Sequence, residues 1–181
     1  FYYSFHRSLP IIFELITIHQ SPPRRQCTIH IVNFSDRYTL ENPRYVTSIM
    51  CFCADPLPPR ILPTSSGSAV FAKTPRTGRG FSGISIYDLC DNATMVASEQ
   101  MTVVFKVPYD LNFKANEYAL GVFDVNQKFN KYVFEHMDKE MTVTKGQAKG
   151  PSLIHKSQSV TMRATMSDCI DPVIKVHVSD N

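Results

Sequence analysis

Short runs of β-branched, aromatic and aliphatic residues, broken every few positions by Pro, Gly, Asn or Asp, limit this chain more than any other feature. The breaks come so often that helices of ordinary length fit between few of them. Within the runs, apolar and polar side chains alternate. In Ser159 to Met166, Val160, Met162, Ala164 and Met166 share one face, while Ser159, Thr161, Arg163 and Thr165 share the other. Ile174, Val176 and Val178 likewise stand opposite Lys175 and His177. That is the period of a half-buried antiparallel strand, with one face in a core and one in water, and it makes His177 a solvated residue. The runs read as strands are Gln26 to Asn33, Arg44 to Cys53, Ser68 to Lys73, Phe81 to Asp88, Gln100 to Val107, Tyr118 to Phe123, Ser152 to Lys156, Ser159 to Met166 and Val173 to Val178. An all-β sandwich follows.

One segment breaks the pattern. From Asn126 to Met141, Phe129, Tyr132, Val133, His136 and Met137 recur at spacings of three and four, which predicts one short helix flanking the sheets. Asp55 to Gly67, with Pro56, Pro58, Pro59 and Pro63, has no periodicity and reads as a linker. Residues 1–24 form an apolar leading segment that ends in Ser21-Pro22-Pro23-Arg24, where two prolines stop any helix. Its Ile11, Ile12, Phe13, Leu15 and Ile16 make a nearly all-round apolar patch. Three readings stay open for it: a membrane-inserting helix, the remnant of a signal segment, or a mispredicted exon. Residues 25–181 are read as the sandwich domain, which suits a chain of 181 residues.

Composition narrows the function. With 43% apolar and 19% charged residues, the chain can bury a compact core and is no disordered polyelectrolyte. A net charge of +3 and a pI near 8.6 fall short of the concentrated basicity of a nucleic-acid reader, so no nucleic-acid partner is expected. Five cysteines are an odd number and too sparse for a disulfide scaffold. Cys51 and Cys53 lack a second Cys/His pair at zinc-binding distance, so buried free thiols and no metal are expected. The sequence contains no Gly-x-Ser-x-Gly elbow, phosphate-binding loop or His-Glu-x-x-His motif. No catalytic residue, no cofactor and no enzyme is therefore expected. Asn33-Phe34-Ser35 and Asn92-Ala93-Thr94 fit the glycosylation acceptor pattern, compatible with secretion.

The most informative stretch is Phe105-Lys106-Val107-Pro108-Tyr109-Asp110-Leu111-Asn112-Phe113-Lys114, a strand running into a turn with aromatic rings on both sides of Asn112. Rings on a polar turn at the end of a sandwich suit the depth of lipid headgroups. Val107-Pro108-Tyr109-Asp110 with Asn112 resembles the Val-Pro-Tyr-Asp-x-Asn segment of the actinoporins, the sea-anemone pore-forming cytolysins. The remainder is more similar to the actinoporin-like proteins of vertebrates. That similarity covers Ile31-Val32-Asn33, Leu40-Glu41-Asn42-Pro43, Phe71-Ala72-Lys73, Gly83-Ile84-Ser85-Ile86-Tyr87-Asp88-Leu89 and Met162-Arg163-Ala164-Thr165-Met166.

The resemblance implies a secreted β-sandwich that docks on phosphocholine or sphingomyelin headgroups of a target membrane. Its N-terminal helix, here Ile11, Ile12, Phe13, Leu15 and Ile16, would insert, and homo-oligomers would form a cation-conducting pore. Residues carried over to the headgroup site are Lys106, Pro108, Tyr109, Phe113, Lys114, Phe134, Asp138 and Lys139. Several depart from the family's pattern: Lys106 stands where it has Ser, Lys114 where it has Tyr, Phe113 and Glu117 where it has Trp, and Asp138 and Lys139 where it has a tyrosine pair. Lost tyrosines weaken a cation–π cage for choline, and added lysines repel it. An anionic lipid or an anionic glycan is the alternative ligand, and a lectin-like module that binds without forming a pore is the alternative function.

Overall fold

A computed structural model describes residues 25–130 and 143–181. Twelve strands among them form two six-stranded sheets. They are β1 (Gln26–Asn33), β2 (Tyr38–Thr47), β3 (Cys51–Asp55), β4 (Arg60–Ile61), β5 (Ser66–Lys73), β6 (Phe81–Asp91), β7 (Val96–Val107), β8 (Glu117–Asp124), β9 (Thr144–Gln147), β10 (Leu153–Lys156), β11 (Val160–Met166) and β12 (Val173–Asp180). One sheet runs β10-β11-β12-β1-β5-β3 and the other β4-β2-β6-β7-β8-β9. Only β1 and β12 pair in parallel; every other pairing is antiparallel.

Between the sheets, Ile29, Ile31, Phe71, Phe105, Leu120, Met162, Ile174 and Val176 are fully buried. The Phe105 ring packs on Phe71 at 5.1 Å between centroids and on Phe81 at 6.1 Å. Burying each such ring contributes about 1.5–3 kcal/mol, so this trio pins the two layers where β5, β6 and β7 approach the end of the sandwich. Tyr118 crosses the gap and donates its hydroxyl to the Ala164 carbonyl at 3.2 Å.

The two outer faces differ. On the β2-β6-β7-β8 side, Ile84, Ile86, Val104 and Ala119 form a second buried cluster, with Val46, Phe123, Phe129 and Val143 packed against it. On the β11-β12-β1 side the strict alternation holds, and Arg163, Thr165, Lys175 and His177 are exposed as their period requires.

Several sequence expectations are corrected. The run Arg44 to Cys53 is two strands in different sheets, because the chain turns at Ser48, with Cys51 N–H donating to the Ser48 carbonyl at 3.0 Å. The linker from Asp55 to Gly67 contains the two-residue strand β4, which pairs with β2. Asn126 to Asn130 are turn and irregular backbone rather than helix; the rest of that expected helix, and all of residues 1–24, lie outside the described residues. Asn33 is fully buried, donating its side-chain amide to the carbonyls of Tyr38 (2.8 Å) and Ile61 (3.2 Å), so the folded protein does not present it as a glycosylation acceptor. Cys27, Cys51 and Cys90 are buried thiols, but Cys53 is half-buried and Cys169 exposed. Burial pushes the Cys51 thiol up to about 12, which makes it unreactive.

Candidate functional site

Five loops meet at one end of the sandwich, here called the tip: residues 48–50, 74–80, 108–116, 148–152 and 167–172. Their convergence is set by hydrogen bonds between residues far apart in sequence. Arg25, just before β1, donates from Nη1 to the Tyr109 carbonyl (2.8 Å) and from Nη2 to the Pro108 carbonyl (3.1 Å). Asn116, fully buried, donates its side-chain amide to the carbonyls of Ser167 (3.3 Å) and Cys169 (2.9 Å). Thr74 N–H donates to the Met50 carbonyl at 2.9 Å. Gly80 lets the 74–80 loop lie against the 108–116 loop, since a Cβ there would sit 2.5 Å from the Val107 carbonyl oxygen.

The 108–116 loop has its own local logic. Pro108 ends β7 because it cannot donate to a ladder. Asp110 then accepts the Asn112 N–H at 2.8 Å, a side-chain-closed turn that carries Leu111 to Phe113 outward. The result is Phe113 at 86% exposure and Tyr109 at 59%. Neither ring closes the core. Alongside them stand Ile49 (74%) and Ile170 (59%), brought there by the Thr74 and Asn116 tethers.

Beneath the rings lies a cleft of about 390 Å³ lined by Phe81, Ser82, Lys106, Pro108, Tyr109, Lys114 and Glu117, among others. The structure thus brings Lys106, Pro108, Tyr109 and Lys114 to one cavity, while Phe113 is exposed on the same loop and does not line it. Lys106 and Glu117 face each other across the β7–β8 ladder and also line a neighbouring hollow of about 410 Å³ toward β9. Phe134, Asp138 and Lys139 lie outside the described residues, as do Ile11, Ile12, Phe13, Leu15 and Ile16.

Sequence reading missed much of the tip's charge. Lys73 is 8% exposed, with Nζ donating to the carbonyl and the hydroxyl of Thr77 and lying 6.0 Å from the centre of the Tyr109 ring. Neither Lys73 nor Arg25 has a carboxylate partner among the described residues. Arg76 sits at φ 58° in the turn Thr74-Pro75-Arg76-Thr77, with proline first and positive φ second. This is a type II arrangement whose second place favours Gly. The cations Arg25, Lys73, Arg76, Arg79, Lys106, Lys114 and Lys149 at the tip outnumber the acids Asp110, Glu117, Asp168 and Asp171. The Arg- and Gly-rich run Lys73 to Gly80 between two strands was the signal in the sequence that could have revealed this. Lipid phosphates can bind such a surface, and its rings can enter the headgroup layer. No group of three or more His, Cys, Asp or Glu at metal-binding distance occurs among the described residues.

No protein-family model and no curated protein matches the chain. Among solved structures it is similar to the crystal structure of the lipid binding protein Nakanori, with a TM-score of 0.65, covering 87% of this chain and 72% of that one at 9% identity. The likeness shows a shared β-sandwich fold.

Proposed function

We propose that this protein docks on membranes through its tip, binding phosphate-bearing lipid headgroups without catalysing a reaction. One observation carries the reading: the exposed Tyr109 lines a cleft with Lys106 and Lys114, the exposed Phe113 stands next to Lys114 in the chain, and cations outnumber acids around them. Phe113 would gain about 1.5–3 kcal/mol on leaving water. Each cation near an anionic leaflet would add about 1 kcal/mol. In the cleft, the lysines suit a phosphate, while Glu117 and the Tyr109 face suit an ammonium. The shared fold with a lipid binding protein supports the same reading. Sedimentation with phosphatidylcholine vesicles, and with the same vesicles doped with phosphatidylserine, tests it. Binding that strengthens with phosphatidylserine is expected. Equal binding to both would remove the role of the cations, and binding to neither would end the proposal.

The resemblance adds a second step for a secreted protein: homo-oligomerisation and insertion of the segment containing Ile11 to Ile16, giving a cation-conducting pore. Dye release from the same vesicles decides it. Leakage supports the pore, whereas binding without leakage supports a module that recognises lipid or glycan and stops there.

A further inference from the structure

At the outward strand positions of the sheet β10-β11-β12-β1-β5-β3 the one carboxylate is Asp55, at the end of the edge strand β3 and opposite Val70; β10, β11, β12, β1 and β5 carry none at theirs. The cations of this face are grouped. Arg163 on β11 stands opposite His177 on β12, and Lys175 on β12 stands beside His30 on β1, one step along the strands. Lys156 on β10 lies diagonal to Arg163. Arg163, Lys175 and Lys156 are exposed and make no ion pair or hydrogen bond among the described residues. The nearest acids are engaged at the ends of the sheet: Asp171 accepts the Gln26 N–H, and Asp180 accepts from Ser35 and Asp36.

Lys156, Arg163 and Lys175 occupy successive diagonal sheet positions, about 7–8 Å apart and within reach of one another's long side chains, whereas soluble surfaces ordinarily mix both signs. A rule broken on a regular surface, with no compensating partner among the described residues, points to a partner outside them. Residues 1–24 hold a single acid, Glu14, against Arg7 and Arg24. Residues Phe129 and Val143 belong to the opposite face of the sandwich.

We propose that this face binds a linear anionic polysaccharide, its sulfate or carboxylate groups spanning Lys156, Arg163 and Lys175. The exposed hydroxyl of Thr165 flanks that diagonal and offers a neutral donor to the same groups, while Thr161 donates to Asn181 and Ser68 is hydrogen-bonded to His30. A nucleic acid fits less well, because the face presents a sheet surface with no helix or ribbon to enter a groove. A bilayer fits less well because the face is the broad side of the sandwich, while the tip is its end.

The test is calorimetric titration of the full chain with a heparin oligosaccharide and with its desulfated counterpart, at low and physiological salt. Heparin binding that weakens with salt, and fails for the desulfated sugar, is expected. Arg163→Gln with Lys175→Gln should weaken it roughly tenfold. The same variant should melt no lower than the wild type, since a repulsion has been removed, and should bind vesicles as before. Equal binding of both sugars overturns the proposal. So does heparin binding that survives the double change but is lost on changing Arg76 and Arg79 at the tip. A variant that loses phosphatidylserine-vesicle binding while keeping heparin assigns the face to a membrane instead. A lowered melting point, or a changed oligomeric state on size exclusion, assigns it to the chain's own leading segment or to a second copy. Failure here leaves the tip reading untouched, because the vesicle assay reports on different residues.

Discussion

Both ends of the sandwich expose large apolar side chains, and they differ in what surrounds them. At the far end, Phe34, Leu62, Met95 and Val96 are each more than half exposed, as Ile49, Tyr109, Phe113 and Ile170 are at the tip. Yet the far end gathers Asp36, Asp91, Glu99, Asp124 and Asp180 against Arg37 and Lys156, and it consumes its polar groups internally. The Ser35 hydroxyl donates to Asp180, Asn33 links Tyr38 and Ile61, and Arg37 pairs with Asp91 at 2.8 Å. The tip leaves Arg25 and Lys73 without carboxylate partners among the described residues and opens a cleft lined by Lys106, Tyr109 and Lys114. What separates the tip from the far end is therefore the surplus of cations beside its rings, and the docking proposal rests on that surplus.

The largest expected effect tests the apolar half of that contrast. Tyr109→Ser with Phe113→Ser removes two rings worth about 1.5–3 kcal/mol each on burial, so vesicle affinity should fall by two orders of magnitude or more. Melting temperature should hardly change, since both rings are exposed. Phe34→Ser with Met95→Ser at the acidic end should leave vesicle sedimentation intact. If the two double variants lose binding equally, the ends are not functionally distinct.

Next in size is a change that should affect folding alone. Asn33→Ala empties a fully buried position and leaves the Tyr38 and Ile61 carbonyls and the Ser35 N–H without their partner. Buried groups left unpaired make this a loss of about 2–3 kcal/mol, read as a lower midpoint in urea. Protein that remains folded should bind vesicles normally.

These residues also show how far the sequence could be read. The sandwich was legible because alternation survives wherever one face of a strand is wet, as in Val160 to Met166. It failed at Ser48-Ile49-Met50, a turn without Pro or Gly that lets β2 and β3 look like one run. It failed again at β4 and β9, too short to show a period. Pro108, Tyr109 and Phe113 were legible because they adjoin each other in the chain. Ile49, Ile170, Arg25 and Lys73 were not, since they reach the tip only through the sheet order, and Arg25 meets Tyr109 across 84 residues of sequence.

A smaller effect isolates charge at the tip. Arg76→Gly removes one cation and also relieves a left-handed backbone at φ 58°. Binding to phosphatidylserine-doped vesicles should weaken by about 1 kcal/mol, and the melting temperature should rise. Opposite movements of binding and stability would show that an arginine stands where the fold prefers glycine because the surface uses its charge. Arg76→Gly that leaves vesicle affinity unaltered, at any salt, would detach this loop from the docking surface.

The smallest effect belongs to the far end and to acid. Asp91 accepts the Ala93 N–H at 2.8 Å and the Arg37 Nε at 2.8 Å, and these contacts, the backbone one first, hold its carboxyl below the usual aspartate range. A carboxylate depressed in the folded state contributes stability that is complete above its unfolded value, about 3.9, and is lost as pH falls through the folded one. Melting temperature should therefore decline below roughly pH 4, and Asp91→Asn should flatten that part of the decline. At neutral pH the same variant should leave vesicle binding alone, because a neutral amide at the acidic end changes nothing the lipid touches. A stronger attachment of Asp91→Asn to anionic vesicles would instead mean that the far end's acids repel the bilayer in the docked state, and that orientation as well as contact is set by the charge difference between the two ends.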